Sequence, residues 1–147
     1  MKTKTPAVEG WFTLDAARPH LIGTRCTQCG TYFFPKETSF CRNPTCSSSE
    51  LEEVELSSRG RLWSYTNNCY APPPPFVAAD PFAPYAVAAV ELERERMVVL
   101  GQVEASVGVA ALEVGMPMEL ALGTLYEDAK HEYLIWKWRP AAAGGAR

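Results

Sequence analysis

Four of the chain's five cysteines come as two pairs. Cys26 and Cys29 lie in C-T-Q-C-G, Cys41 and Cys46 in C-R-N-P-T-C, with eleven residues between the pairs. Tetrahedral thiolate coordination needs such an arrangement. A C-x-x-C turn brings two sulfurs to one ion at about 2.3 Å, and Gly30 directly after it suits the tight turn. Between the pairs, the apolar run Tyr32-Phe33-Phe34-Pro35 can fold the loop back on itself. The expected site is a closed cage of Cys26, Cys29, Cys41 and Cys46 holding one Zn²⁺ per chain. With no position left for water, it is expected to be structural rather than catalytic. Iron fits the same ligands, as in rubredoxin, and two metal-free thiol pairs are the plainer alternative. Arg25, Lys36 and Arg42 are close enough in sequence to offset thiolate charge, or they are ordinary solvated cations.

Other reactive side chains are sparse. Cys69 stands alone, without a base or cation beside it to make a nucleophile, and a small buried strand thiol is expected. His20 and His131 read as capping or surface residues. No Ser-His-Asp order, paired carboxylates or glycine-rich phosphate loop is present, so no catalytic residue is assigned. What remains is surface. Phe76, Phe82 and Tyr85 lie in or beside a proline-rich loop, Ala71 to Pro84, and are expected at a partner interface. The alternative is that these rings plug the barrel ends. Trp136 and Trp138 share one face of a strand and are expected in the core. Arg59, Arg61, Lys137 and Arg139 are candidate phosphate contacts.

The elements that position these residues read mostly as β. The 147 residues are 47% hydrophobic and 21% charged, as in a folded domain, and 12 prolines and 10 glycines favour strands joined by turns. A net charge of −3, falling to −5 with four thiolates around Zn²⁺, argues against a nucleic-acid partner. No apolar run is long enough to span a membrane. Met1 to Gly10 lacks the apolar stretch of a secretory signal. A reducing compartment, the cytoplasm, is therefore expected, and there cysteine pairs are more readily metal ligands than disulfides.

Trp11, Leu14 and Ala17 fall at helical spacing, which predicts a short helix within residues 8–25. Glu50 to Leu56 reads as an edge strand. Five strands follow, at 61–70, 85–93, 97–104, 116–126 and 131–138, with a helical turn at 107–112. That spacing suits a small closed OB-type barrel. The expected layout is an N-terminal helical arm (1–23), a rubredoxin-like zinc ribbon (24–58), a five-stranded OB-fold domain (59–139) and a flexible tail (140–147).

The order of motifs adds a resemblance. Gly23-Thr24-Arg25-Cys26-Thr27-Gln28-Cys29-Gly30 is followed by Phe34-Pro35, Cys41 and Cys46. Then come Ser58-Arg59-Gly60-Arg61-Leu62-Trp63-Ser64-Tyr65-Thr66, Pro84 to Leu92, and Val114-Gly115-Met116-Pro117-Met118. Over residues 10–139 the chain resembles the family of acyl-CoA-associated proteins that joins a rubredoxin-like zinc ribbon to a C-terminal OB fold. The resemblance implies a non-catalytic accessory subunit of a thiolase-fold enzyme, in a hetero-oligomer. It implies zinc on Cys26, Cys29, Cys41 and Cys46, although the family's second pair is usually tighter. It also implies that the partner mainly holds the CoA thioester, so that phosphate contacts here would meet CoA. A nucleic-acid-binding OB module and a rubredoxin-like electron carrier are the alternatives.

Overall fold

The computed structural model describes residues 2–15, 17–46, 48–69, 83–104 and 107–141. Three strands build the ribbon: β2 (Ile22–Cys26), β3 (Tyr32–Phe33) and β4 (Leu51–Glu55), antiparallel in the order β3-β2-β4. β4 lies at the edge, and its Glu52, Glu53 and Glu55 face water. Exposed charge is a common protection for an edge strand.

Five strands close the barrel: β5 (Arg59–Asn68), β6 (Tyr85–Leu92), β7 (Val98–Val103), β8 (Pro117–Glu127) and β9 (His131–Pro140). They run β9-β7-β6-β5-β8, and β8 pairs back onto β9. All five match the sequence expectation to within a few residues. A 3₁₀ turn at Val109–Ala111 sits where a helical turn was expected. It is the only helix among the described residues. Among the described residues, no helix is long and apolar enough to cross a membrane.

Period-two alternation fixes the inside of the barrel. Ala86, Ala88, Val90 and Leu92 of β6 are buried, while Tyr85, Val87 and Glu91 alternate with them. The small alanines leave room for Trp138, which is fully buried in the core with Leu62, Met118 and Leu120. Gly60 is needed for strand approach: a Cβ there would lie 2.2 Å from the Glu91 carbonyl oxygen.

The N-terminal arm is not helical. β1 (Thr3–Pro6) pairs in parallel with the first half of β9, Thr3 opposite His131 and Pro6 opposite Leu134. β7 takes the second half of the same edge, through Gln102–Lys137 and Val103–Trp138. Residues 11–15 and 17–22 then form the two sides of a hairpin. Phe12 bridges Leu21, Thr13 N–H donates to His20 O at 2.9 Å, and Ile22 N–H donates to Trp11 O at 2.8 Å. Leu14, expected on an apolar helix face, is 46% exposed. The Asp15 carboxylate accepts from the N–H groups of Ala17 and Arg18, a side-chain turn that competes with helix.

Among the described residues, ribbon and barrel are fastened at the Trp136 cluster and at the crossing between β4 and β5. Trp136 packs between them against Trp11, Phe12 and Phe34, with ring centroids 5.6–5.9 Å apart. At the crossing between β4 and β5, Leu56 N–H donates to Leu21 O at 2.8 Å. The Leu56 carbonyl accepts from His20 Nδ1 at 2.9 Å, and Ser57 N–H donates to Glu95 Oε2 at 3.0 Å.

Candidate metal centre

The first cysteine pair is shaped by the end of β2. Cys26 N–H donates to Thr31 O and Gly30 N–H to Cys26 O, each at 2.9 Å. Gly30 takes φ +82°, a left-handed backbone that L side chains rarely adopt. The turn aims Cys29 N–H at Cys26 Sγ, 3.5 Å away. The second pair sits on a wider loop organised by Asn43. Its N–H donates to Cys41 Sγ at 3.4 Å, and its Oδ1 accepts from Thr45 N–H at 3.1 Å. Its Nδ2 reaches across to Cys29 Sγ at 3.6 Å. Asn43 thus shapes the C-x4-C spacing and links the two pairs. Sequence reasoning missed this role, although Asn-Pro is a turn signal.

The four sulfurs converge. Cys26 Sγ lies 3.7 Å from Cys46 Sγ, and Cys29 Sγ lies 3.6 Å from Cys41 Sγ. All four lie within 4.8 Å of one another. A tetrahedron with bonds of about 2.3 Å has edges of about 3.8 Å. The donor set and its spacing therefore fit a zinc ion. Cys26 and Cys41 are buried, Cys46 is half-buried and Cys29 is exposed.

Without an ion, the cage holds its thiols unevenly. The Cys29 N–H lowers the Cys26 thiol below its ordinary value. Hydrogen bonds from the Thr31 hydroxyl and backbone pull Cys29 down to about 6. Burial pushes Cys41 up to about 12. At Cys46 the Ser48 N–H favours the thiolate, but burial and the thiols of Cys26 and Cys29 outweigh it and raise the group. A divalent cation would replace the held protons and permit four thiolates together.

The nearby cations pair with carboxylates. Arg25 pairs with Glu52 at 3.4 Å, Lys36 with Glu53 at 2.7 Å and Arg42 with Glu37 at 2.8 Å. Cys69, expected to be a buried strand thiol, is exposed just after β5, and its sulfur donates to Asn67 O at 3.5 Å.

The four candidate phosphate contacts divide between two places. Arg59 and Arg139 converge on Glu119 at 3.9 and 2.7 Å, beside a 260 Å³ depression that Arg18, His20 and Ser58 also line. Lys137 is two residues from Arg139 on β9. Burial lowers its ammonium, with Glu104 acting against that. Arg61 instead donates to Gly115 O at 3.0 Å and lines a separate depression with Glu91 and Arg96. Tyr85 is half-buried at the start of β6, beside a 240 Å³ depression that Val103 and Val109 also line. Phe76 and Phe82 lie outside the described residues.

Known proteins share this pair of modules. Residues 15–52 match the ChsH2 rubredoxin-like zinc ribbon domain, and residues 53–123 match the ChsH2 C-terminal OB-fold domain. The chain is 33% identical to the benzoylsuccinyl-CoA thiolase subunit BbsA of Thauera aromatica, over 85% of this chain and 79% of that one. It is 34% identical to a DUF35 domain-containing scaffold protein of Methanocaldococcus jannaschii, over 81% of this chain and 79% of the relative. A solved structure, "Ltp2-ChsH2(DUF35) aldolase", superposes with a TM-score of 0.62 at 30% identity, covering 93% of this chain and 99% of that one. A four-sulfur ribbon fastened to a closed five-stranded barrel, matched in sequence across both modules, places this chain in the ChsH2-type zinc ribbon and OB-fold (DUF35) family.

Proposed function

We propose that the chain is the zinc-containing accessory subunit of a thiolase-fold enzyme that cleaves or forms β-keto acyl-CoA thioesters. The observation that carries this reading is the match to a thiolase subunit through ribbon, junction and barrel together. The geometry agrees with an accessory role. Cys26, Cys29, Cys41 and Cys46 would hold one Zn²⁺, which supplies folding free energy to a ribbon with little core of its own. Four sulfurs at tetrahedral spacing leave such an ion no free position for water or a carbonyl oxygen. Thiolytic or retro-Claisen chemistry needs an activated cysteine and a base, and both belong to the partner in this reading. Benzoylsuccinyl-CoA thiolase is the specific enzyme we put forward, on the strength of the BbsA relatives.

Arg59 and Arg139, joined on one depression, are the proposed contacts for the CoA phosphates, with Lys137 two residues along the same strand face. Arg61 stands apart and contributes to the same rim only if the ligand extends across β5. Tyr85, Phe76 and Phe82 are proposed at the partner interface. A pull-down from the native source, with the bound protein identified by mass, tests the assignment. A thiolase-fold subunit in stoichiometric amount is the expected result. Recovery of the chain alone, or with nucleic acid, would reject it.

A further inference from the structure

We propose that Cys29 is an oxidant-sensing modification site: a hydroperoxide oxidises its sulfur, Cys41 closes a disulfide on it, and the bound ion is released. The inference stands on the sulfur cage and is independent of the partner assigned above. Access singles out Cys29. In a loaded cage all four sulfurs are thiolates, so their reactivity is decided by what an oxidant can reach. Cys26 and Cys41 are 0% and 1% exposed, and Cys46 is half-buried. Of the four, Cys29 alone is exposed. Two hydrogen-bond donors stand beside its sulfur, Thr31 Oγ1 at 3.1 Å and Asn43 Nδ2 at 3.6 Å. They can stabilise the anion that leaves the peroxide.

The second thiolate is already in place. Cys41 Sγ lies 3.6 Å from Cys29 Sγ, and the Asn43 N–H holds it there at 3.4 Å. A disulfide is about 2.05 Å long, so the two sulfurs close by about 1.5 Å. The Cys29 thiolate attacks the outer peroxide oxygen, the O–O bond breaks, and hydroxide or alkoxide leaves. The Cys41 thiolate then attacks the sulfur of the Cys29 sulfenic acid. The S–S bond forms, the S–O bond breaks, and hydroxide leaves. Two thiolates have given up two electrons, and the hydroperoxide has taken them. The cage keeps only Cys26 and Cys46, two ligands where a closed site needs four.

The position of this pair carries the change beyond the cage. Phe34 lies between Cys29 and Cys41 in sequence and packs against Trp11 and Trp136. Loss of the ion therefore reaches the cluster that fastens ribbon to barrel. Cys69 supplies the contrast. It is also exposed, but its sulfur contacts Asn67 O and stands outside the four-sulfur group. Its oxidation costs the ion no ligand.

The test uses the full chain loaded with zinc and treated with hydrogen peroxide. A chromogenic chelator follows zinc release, and peptide mass mapping locates the modified sulfurs. Zinc release in step with a Cys29–Cys41 disulfide is expected, reversed by a thiol reductant and fresh zinc. Dimedone present during a brief exposure should mark Cys29 ahead of the other three ligands. Cys69→Ser should release zinc at the wild-type rate. Cys29→His keeps a fourth ligand without an oxidisable thiolate and should slow release at least about tenfold. If that variant does not hold zinc, the mapping of the wild-type chain decides alone. A first disulfide other than Cys29–Cys41, first labelling at Cys26, Cys41 or Cys46, or zinc retained after Cys69 is fully oxidised would overturn the inference.

Discussion

Cys29 and Cys41 face each other across the sulfur cage, one held near 6 and the other near 12. That asymmetry makes metal uptake a proton-releasing step. At neutral pH Cys29 is largely thiolate, while Cys41 and Cys46 keep their protons and must give them up to the ion. Metal affinity should therefore fall as pH falls, because protons compete for sulfur. Calorimetry in buffers of different ionisation enthalpy should count fewer than four protons released per zinc at neutral pH. Release of four would show that the metal-free chain lacks the hydrogen-bonded cage. Cys26→Ser removes a buried ligand and should empty the site and lower the melting temperature of the ribbon, with the barrel retained. Cys69→Ser should keep one equivalent of zinc by metal analysis. Loss of zinc from that variant would mean a different ligand set. The spacing of the four cysteines made them legible in the sequence. The roles of Asn43 and Thr31 were not legible, because their contacts depend on how a C-x4-C loop folds across to the other pair.

Gly60 shows how tightly the barrel elements are drawn together. Its Cβ position is filled by the backbone of Glu91, which cannot swing aside as a flexible side chain can. Gly60→Ala should push β5 from β6 and destabilise the chain by about 1–3 kcal/mol, the usual range for overpacking. Chemical denaturation measures this, and a loss below about 0.5 kcal/mol would contradict the close approach. The five barrel strands were readable because runs rich in aromatic, β-branched and apolar residues are separated by turn-forming or charged residues. The arm was misread for a local reason. Trp11, Leu14 and Ala17 fit a helical period, but three positions are too few to outweigh Gly10, Pro19 and the Asp15 turn. β1 was missed for the opposite reason. Its partner, β9, lies more than 120 residues away, and nothing local in Thr3–Pro6 announces a parallel pairing.

At the scale of the whole molecule, ribbon and barrel act as one body. Trp136 packs against arm and ribbon together, and Glu95 in the β6–β7 turn holds Ser57 at the crossing. In the proposed function such a unit would brace a larger enzyme, with an ion on the four cysteines stiffening the ribbon end. The two-module order was visible from the cysteine pairs followed by the strand run, whereas the outward-facing residues of the barrel were not. A bulge at Trp63 and the register of three strands decide which residues point outward, and both come from pairing rather than from composition. The central claim is that catalysis requires this chain but does not occur on it. The most direct measurement is turnover of CoA with β-keto acyl thioesters by this chain alone, by the thiolase-fold subunit alone, and by the two together. Activity only, or at least tenfold greater, in the pair is the predicted result; turnover by this chain alone, or equal turnover by the lone partner, would contradict the account.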